Sequence, residues 1–211
     1  MRKAWGRYWQ KKDVAKILKG SWAKKRIVGV IDDYVQKEFK VLDAGCGSGF
    51  FSRYFLSKGC QVYALDYSEE ALRLTQTITE HKCKCYLKRD LRDEALAEEF
   101  TKGFDLIFTD GLLEHFPRGE QRRILNNLIK MKKDEGIIAT FVPNRFCIWS
   151  LLRPLFMPKI EETPSTLSEL IRLHSNLTIL CSGGVNVLPF RFSPEKYLGR
   201  YLGLLLFVIA T

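Results

Sequence analysis

Short apolar runs alternate with stretches of helical period along residues 40–144. Val41-Leu42-Asp43-Ala44, Gln61-Val62-Tyr63-Ala64-Leu65-Asp66 and Cys85-Tyr86-Leu87-Lys88-Arg89-Asp90-Leu91 are strand-length, as are residues 103–110 and 137–144. Runs of this kind, bounded by turn residues, read as strands buried on both faces. Between them the period changes. Phe51, Tyr54, Phe55 and Leu56 continue as a helix to a stop near Gly59, and a second helix spans 69–80. A third, over 119–131, gathers Ile124, Leu125, Leu128 and Ile129 on one side with Lys and Arg on the other. Asp134-Glu135-Gly136 reads as the turn into the fifth strand. Five strand–helix units, each roughly 20–30 residues long, predict a parallel sheet covered on both faces. Upstream, Ile27, Val28, Ile31, Tyr34 and Val35 share one helical face over 23–38.

Past Asn144 the pattern breaks. Residues 146–157 are apolar and interrupted by Pro154, which reads either as one more packed helix or as a lid over an apolar substrate. An interfacial membrane helix is the weaker third reading, because only Arg153 and Lys159 supply a polar side. Thr166-x-x-Glu169 is a capping-box pattern opening a helix to His174. Residues 177–181 and 183–190 supply a sixth strand, with a bulge expected at Gly183-Gly184. Ser193-Pro194 starts a short helix by the cap-then-proline rule, and 202–210 is the last strand.

The candidate chemistry begins where the first strand ends. Asp43-Ala44-Gly45-Cys46-Gly47-Ser48-Gly49 leads into a helical pattern, and glycines at alternate positions allow both positive φ and close approach of a ligand to the backbone. The helix that follows points its N–H groups and positive dipole end at the same spot. A dinucleotide fold asks for G-x-G-x-x-G, whereas here position 50 is Phe. The D-x-G-x-G-x-G run instead resembles motif I of the class I S-adenosylmethionine (SAM) dependent methyltransferases. A second point of resemblance is F-D-L-I-F-x-x-G-L-L-E-H-F over 104–116, and a third is the segment ending Val142-Pro143-Asn144. Both are similar to the small-molecule methyltransferases of ubiquinone and menaquinone biosynthesis.

That resemblance implies an α/β fold, a three-layer sandwich whose seven-stranded sheet is mostly parallel with the last strand antiparallel. It implies SAM as cofactor and S-adenosyl-L-homocysteine (SAH) as product. The cofactor-binding residues it implies are Asp43, Gly45, Cys46, Gly47 and Gly49 in the first turn, and Asp66 with Tyr67 at the second strand end. Asp90 and Leu91 follow for the adenine, with Asp93 as an alternative to Asp90. Thr109, Asp110 and Gly111 face the methionine part. Asp66 suits the two ribose hydroxyls by its placement, and Ser68 suits an N-cap. His115 is the candidate catalytic base, whereas His81 and His174 read as structural. No metal is expected.

Bulk properties refine the picture. The 211 residues suit one domain with a sizeable core. Residues 1–38 are expected as a basic helical segment or lid packed on the core, and 39–211 as the SAM-binding domain, with 145–165 as the acceptor-site lid. The net charge is +10, and residues 1–26 hold ten Lys/Arg against the single Asp13. A basic arm can meet nucleic acid or an anionic membrane surface, or serve solubility alone. Six cysteines without C-x-x-C read as reduced thiols. No apolar signal core opens the chain and no run reaches the ~18 residues of a membrane span, so the expectation is cytoplasmic with no transmembrane segment. The expected partner is a small apolar or aromatic methyl acceptor. Two readings stand against it: an RNA or protein methyltransferase docking through the basic arm, and a NAD-binding oxidoreductase, which Phe50 disfavours.

Overall fold

The computed structural model describes residue 9 and residues 13–147, 162–188, 190 and 192–211. α1 (Val14–Lys19) and α2 (Trp22–Ile31) precede the sheet. The order is then β1 (Lys40–Ala44), α3 (Phe50–Ser57), β2 (Gln61–Asp66), α4 (Glu69–Ile78), β3 (Cys85–Lys88), α5 (Glu94–Glu99) and β4 (Phe104–Asp110). A 3-10 turn, Leu113–His115, leads to α6 (Arg118–Met131) and β5 (Lys132–Pro143). After them come α7 (Leu167–Leu173), β6 (Ile179–Val185), α8 (Glu195–Leu202) and β7 (Leu205–Ala210).

Among the described residues the strands form one seven-stranded sheet in the order β3-β2-β1-β4-β5-β7-β6. Every pair from β3 to β5 is parallel, and β7 runs antiparallel to both β5 and β6. The three-layer α/β fold with an antiparallel last strand is therefore present. The layers follow from alternation along the strands. Leu42, Ile107, Ile138 and Val208 point to one face and pack with Leu96, Ile124, Leu128 and Leu170 from α5, α6 and α7. Val41, Val62, Phe108 and Phe141 point to the other and pack with Ile27, Ile31, Phe51 and Phe55 from α2 and α3. Phe55, Phe104, Phe108 and Phe141 are fully buried; each contributes about 1.5–3 kcal/mol by leaving water.

Several boundaries differ from the sequence pattern, each for a local reason. The helix expected over 23–38 ends at Ile31 and tightens into the 3-10 turn Asp32–Tyr34, closed by the Val35 N–H donating to the Asp32 carbonyl. The third strand stops at Lys88, because Asp90 accepts the Arg92 backbone N–H and turns the chain. The expected turn at 134–136 lies inside β5: between Phe104↔Lys132 and Leu106↔Ile137 the register shifts. There the Lys132 ammonium donates to the carbonyls of Lys133 and Asp134, 2.8 Å each, so the excursion folds around its own side chain.

At the far edge the bulge falls between Ile179 and Cys181, not at Gly183-Gly184. Those glycines serve packing instead. The backbones of Gly184 and Gly199 touch, so a Cβ on either would occupy the other's carbonyl. Ser193 does not cap α8; its hydroxyl accepts from the Leu188 N–H and the helix starts at Glu195. The Thr166–Glu169 capping box is complete, with Thr166 Oγ1 accepting from the Glu169 N–H at 3.2 Å and Glu169 Oε2 from the Thr166 N–H at 2.8 Å. Of the lid expected over 145–165, residues 148–161 lie outside the described residues, as do 1–8 and 10–12 of the basic arm.

Candidate functional site at the carboxyl ends of the central strands

β1, β2 and β4 are adjacent and parallel, so the residues that end them share one edge of the sheet. Asp43, Asp66 and Asp110 all lie there. The glycine turn is held against that edge by its own backbone. The N–H groups of Gly45 and Cys46 both donate to the Leu65 carbonyl, at 2.8 and 2.9 Å, and Gly49 N–H donates to Cys46 O at 2.9 Å. Gly49 has φ +75°, and a Cβ on it would stand 2.7 Å from the Thr75 Cα of α4, so both conformation and space require glycine. Thr75 adds side-chain contacts, reaching the Gly47 carbonyl at 3.3 Å and the buried Cys46 thiol at 3.4 Å. The Trp9 ring lies on Gly47, where a Cβ would meet Cη2 at 2.8 Å.

Asp66 ties the second strand end to this turn. Its Oδ2 accepts from the Gly47 N–H at 3.1 Å and its Oδ1 from the Ser68 N–H at 2.8 Å. Each oxygen keeps a further lone pair. Ser68 caps α4 by accepting from the Ala71 N–H, so capping and the Asp66 role are carried by different residues. Burial raises the Asp66 carboxyl against the pull of those N–H groups. Tyr67, next in line, is half-buried.

Asp43 is buried and its Oδ2 accepts from Ser52 Oγ at 2.6 Å. Loss of water pushes its carboxyl up to about 7, and the nearby Asp110 adds to the rise. Burial likewise pushes Asp110 up to about 6. Lys24 counters both, its charge lowering each carboxyl. Its ammonium comes from α2, donates to Ser48 Oγ at 3.0 Å and lies 4.6 Å from the Phe50 ring centre. Nothing in the sequence singled out Lys24, because it sits in a run of basic residues. Arg26, two residues on, pairs with Glu195 at 2.6 Å and donates to Asn186 and to the carbonyls of Leu188 and Phe190. These two cations of the basic arm are thus turned into the protein.

Farther along the edge, Asp90 accepts three hydrogen bonds from Arg92: the backbone N–H at 3.0 Å, Nε at 3.0 Å and Nη2 at 2.6 Å. Arg92 also pairs with Glu120 at 3.0 Å. Leu91 is buried with its carbonyl accepting from Asn127, and Asp93 is the N-cap of α5. Past β4, Thr109 is fully buried, and Gly111 holds φ +67° with its N–H on the Phe141 carbonyl at 3.1 Å.

His115 ends the 3-10 turn beyond Gly111. Its Nε2 is 3.8 Å from Glu114 Oε1 and its Nδ1 is 3.9 Å from Glu162 Oε1, with all three side chains largely buried. Glu162 arrives from the distant end of the 145–165 stretch, where Thr163 N–H donates to the Glu114 carbonyl at 2.7 Å. Sequence reasoning named His115 and missed both glutamates. Glu114 was in view within the motif, whereas nothing local marks Glu162.

Comparison with known proteins adds three findings. Residues 42–138 match a family model described as "Methyltransferase domain". The ubiquinone biosynthesis O-methyltransferase of Pseudomonas fluorescens (strain SBW25) is 31% identical over 106 residues, which is 50% of this chain and 45% of that protein. The matched region thus takes in under half the length of such relatives. Among solved structures, the magnesium protoporphyrin IX methyltransferase of Synechocystis PCC 6803, with bound SAH, superposes with TM-score 0.64 at 17% identity, covering 89% of this chain and 80% of the other. The 1,6-didemethyltoxoflavin-N1-methyltransferase of Burkholderia thailandensis gives 0.66 at 18% identity, covering 99% and 85%.

Proposed function

We propose that the chain is a class I SAM-dependent methyltransferase, a reading supported by its matched segment and its fold, and that it moves a methyl group from SAM to a small hydroxylated acceptor of apolar or aromatic character. The observation that carries this reading is the meeting of Asp43, Asp66 and Asp110 with one rigid glycine turn at a single sheet edge. An acidic sheet edge bordered by a glycine turn fits a nucleoside that carries both an ammonium and a sulfonium. Asp66 holds the ribose hydroxyls through its remaining lone pairs. Asp43 and Asp110 face the positive end, and Lys24 is within reach of the α-carboxylate. Thr109–Gly111 lie along the methionine part. Gly45 and Cys46 shape the turn, and Tyr67, Asp90 and Leu91 border the adenosine.

The cofactor supplies an activated methyl, so the chain's own residues need only align acceptor and methyl and exclude water. Alignment of this kind lowers a barrier by ~7–11 kcal/mol. Trp9 over the glycine turn, with residues 1–38 as a lid, serves the exclusion. His115 stands on the acceptor side, where taking a hydroxyl proton is worth ~10²–10⁴ in rate. Support for oxygen as the acceptor atom comes from the O-methyltransferase relative and from His115 with its two carboxylates. No helix among the described residues is long and apolar enough to cross a membrane; a cytoplasmic site of action agrees with the proposal.

The test is transfer of labelled methyl from SAM to a panel of hydroxylated aromatics and aliphatics. One class of phenol or alcohol should accept label, and His115→Ala should slow turnover at least tenfold while SAH affinity stays put. Label passing to RNA or to protein side chains, and to no small molecule, would replace this reading.

A further inference from the structure

We propose that the rim of the crevice docks on the surface of an anionic lipid bilayer. Among the described residues, every exposed large hydrophobic side chain except Leu180 falls in one of three places. These are α1 with the start of α2, Phe146 just past β5, and the stretch 188–202 around α8. All three border the sheet edge that carries the glycine turn. β5 runs with β4, and β7 runs against both β5 and β6, so residues 144–147 and the whole connection 186–204 lie at that edge. Asn144 joins them, donating to the carbonyls of Tyr201 and Gly203 at 2.9 Å each. On the other flank, Gly20 between α1 and α2 meets the Phe50 ring, where a Cβ would stand 2.7 Å from Cε2. Arg26 of α2 ties the flanks together through the carbonyls of Leu188 and Phe190.

The exposed groups form an ordered surface. Tyr197, Leu198, Tyr201 and Leu202 recur at i, i+1, i+4 and i+5, which is one face of α8. Gly199, on the opposite side, is buried against Gly184. Exposure is 88% for Phe192, 73% for Tyr197, 66% for Phe146 and 65% for Phe190, and apolar surface of this kind marks an interaction site. Cations are interleaved with the rings. Lys25 lies 5.0 Å from the Trp22 ring centre, Lys196 5.9 Å from that of Tyr197 and Arg200 5.4 Å from that of Tyr201. In the sequence, residues 13–26 and 186–204 hold eight Lys/Arg against Asp13 and Glu195, and Glu195 is paired with Arg26.

Charge and apolar character together select the occupant. Tyr and Trp rings settle at headgroup depth, Phe and aliphatic side chains reach the acyl boundary, and Lys and Arg meet anionic headgroups. A second copy of the chain would set two like-charged faces against each other. Nucleic acid would engage the cations and the rings but leave Val14, Leu18, Leu188, Leu198 and Leu202 in water. The mouth of the crevice then faces the lipid, which is the route by which an apolar acceptor would enter. That consequence rests on the methyl-transfer reading above; the docking does not.

The test is sedimentation of the whole chain with vesicles, either of phosphatidylcholine alone or of equal parts phosphatidylcholine and phosphatidylglycerol. The protein should sediment with the mixed vesicles about tenfold more tightly than with the neutral ones, and salt should weaken the difference. Phe192→Ser, Tyr197→Ser and Tyr201→Ser combined should lose about tenfold in affinity for the mixed vesicles, as should Lys196→Glu with Arg200→Glu. All five side chains are exposed, so far-UV circular dichroism and SAH affinity should match the parent. Protein that stays in the supernatant with both vesicles, or parental affinity in both variants, overturns the docking. A dimer or a complex with single-stranded RNA that the variants lose, without vesicle binding by the parent, would give this face to that partner instead. SAH binding on the same samples reports separately on the methyltransferase reading, which stands if SAH binds and the vesicles do not.

Discussion

The two sides of the crevice are built in different ways. On the side proposed for the cofactor, backbone does most of the work. Gly45, Cys46 and Gly49 are fixed by main-chain hydrogen bonds, and Asp66 accepts from main-chain N–H groups. On the acceptor side the groups meet through side chains from separate parts of the chain, with Glu162 reaching His115 across the 145–165 stretch. A site made of backbone dictates residue types at fixed spacing. A site made of converging side chains leaves no local spacing to read.

Changes on the cofactor side should therefore be the more damaging, and the largest expected effect is at Gly49. Gly49→Val combines a strained positive φ with a clash against the Thr75 backbone. It should cost about 2–4 kcal/mol of stability, read as a lower urea midpoint, and abolish measurable SAH binding. A stable Gly49→Val protein that binds SAH normally would break the contrast between the two sides. Next is Asp66→Ala, expected to weaken SAM binding at least tenfold, or about 1.4 kcal/mol. Unchanged affinity would remove Asp66 from the cofactor site.

A smaller effect follows from the buried acids. Asp43 and Asp110 are held above the usual carboxylate range, at about 7 and about 6. Each binds its proton more tightly folded than unfolded, so each adds stability below pH ~4 that is lost as pH rises through those values. A cationic cofactor favours the ionised forms. SAM binding should thus release protons near pH 6.5 and tighten between pH 5.5 and 7, by about tenfold for each unit that the carboxyls fall on binding. Calorimetry in two buffers of different ionisation enthalpy reads the proton release directly; proton uptake would contradict the assignment. The smallest effect is on the acceptor side of the fold. Thr166→Ala removes half of the capping box and should cost ~1 kcal/mol with SAH affinity unchanged.

The same contrast explains what the sequence made legible. The second strand was found residue for residue as Gln61–Asp66, because an apolar run ended in an acid and was followed by the capping Ser68. The Thr166 capping box is readable for a similar local reason, whereas the seven-stranded sheet with its antiparallel last strand follows from the family resemblance and its strand order only from the structure. Glu114 and Glu162 as partners of His115 were not, since their meeting depends on Thr163 docking on the 3-10 turn. Lys24 was hidden among like charges, and only its approach to Ser48 sets it apart. The Gly183-Gly184 pair suggests a bulge, but Gly184 serves close contact with Gly199 of α8 and Gly183 lies against the Phe207 ring of β7, long-range demands that mimic a local one.

The central claim is that the carboxylates and glycines at this edge form one crevice for a nucleoside with a positive sulfur. Calorimetric titration of the whole chain with SAH and, separately, with NAD tests it most directly. The account predicts one-to-one SAH binding in the micromolar range or tighter, with no heat from NAD. A folded protein that ignores SAH, or that binds NAD the more tightly, would contradict it.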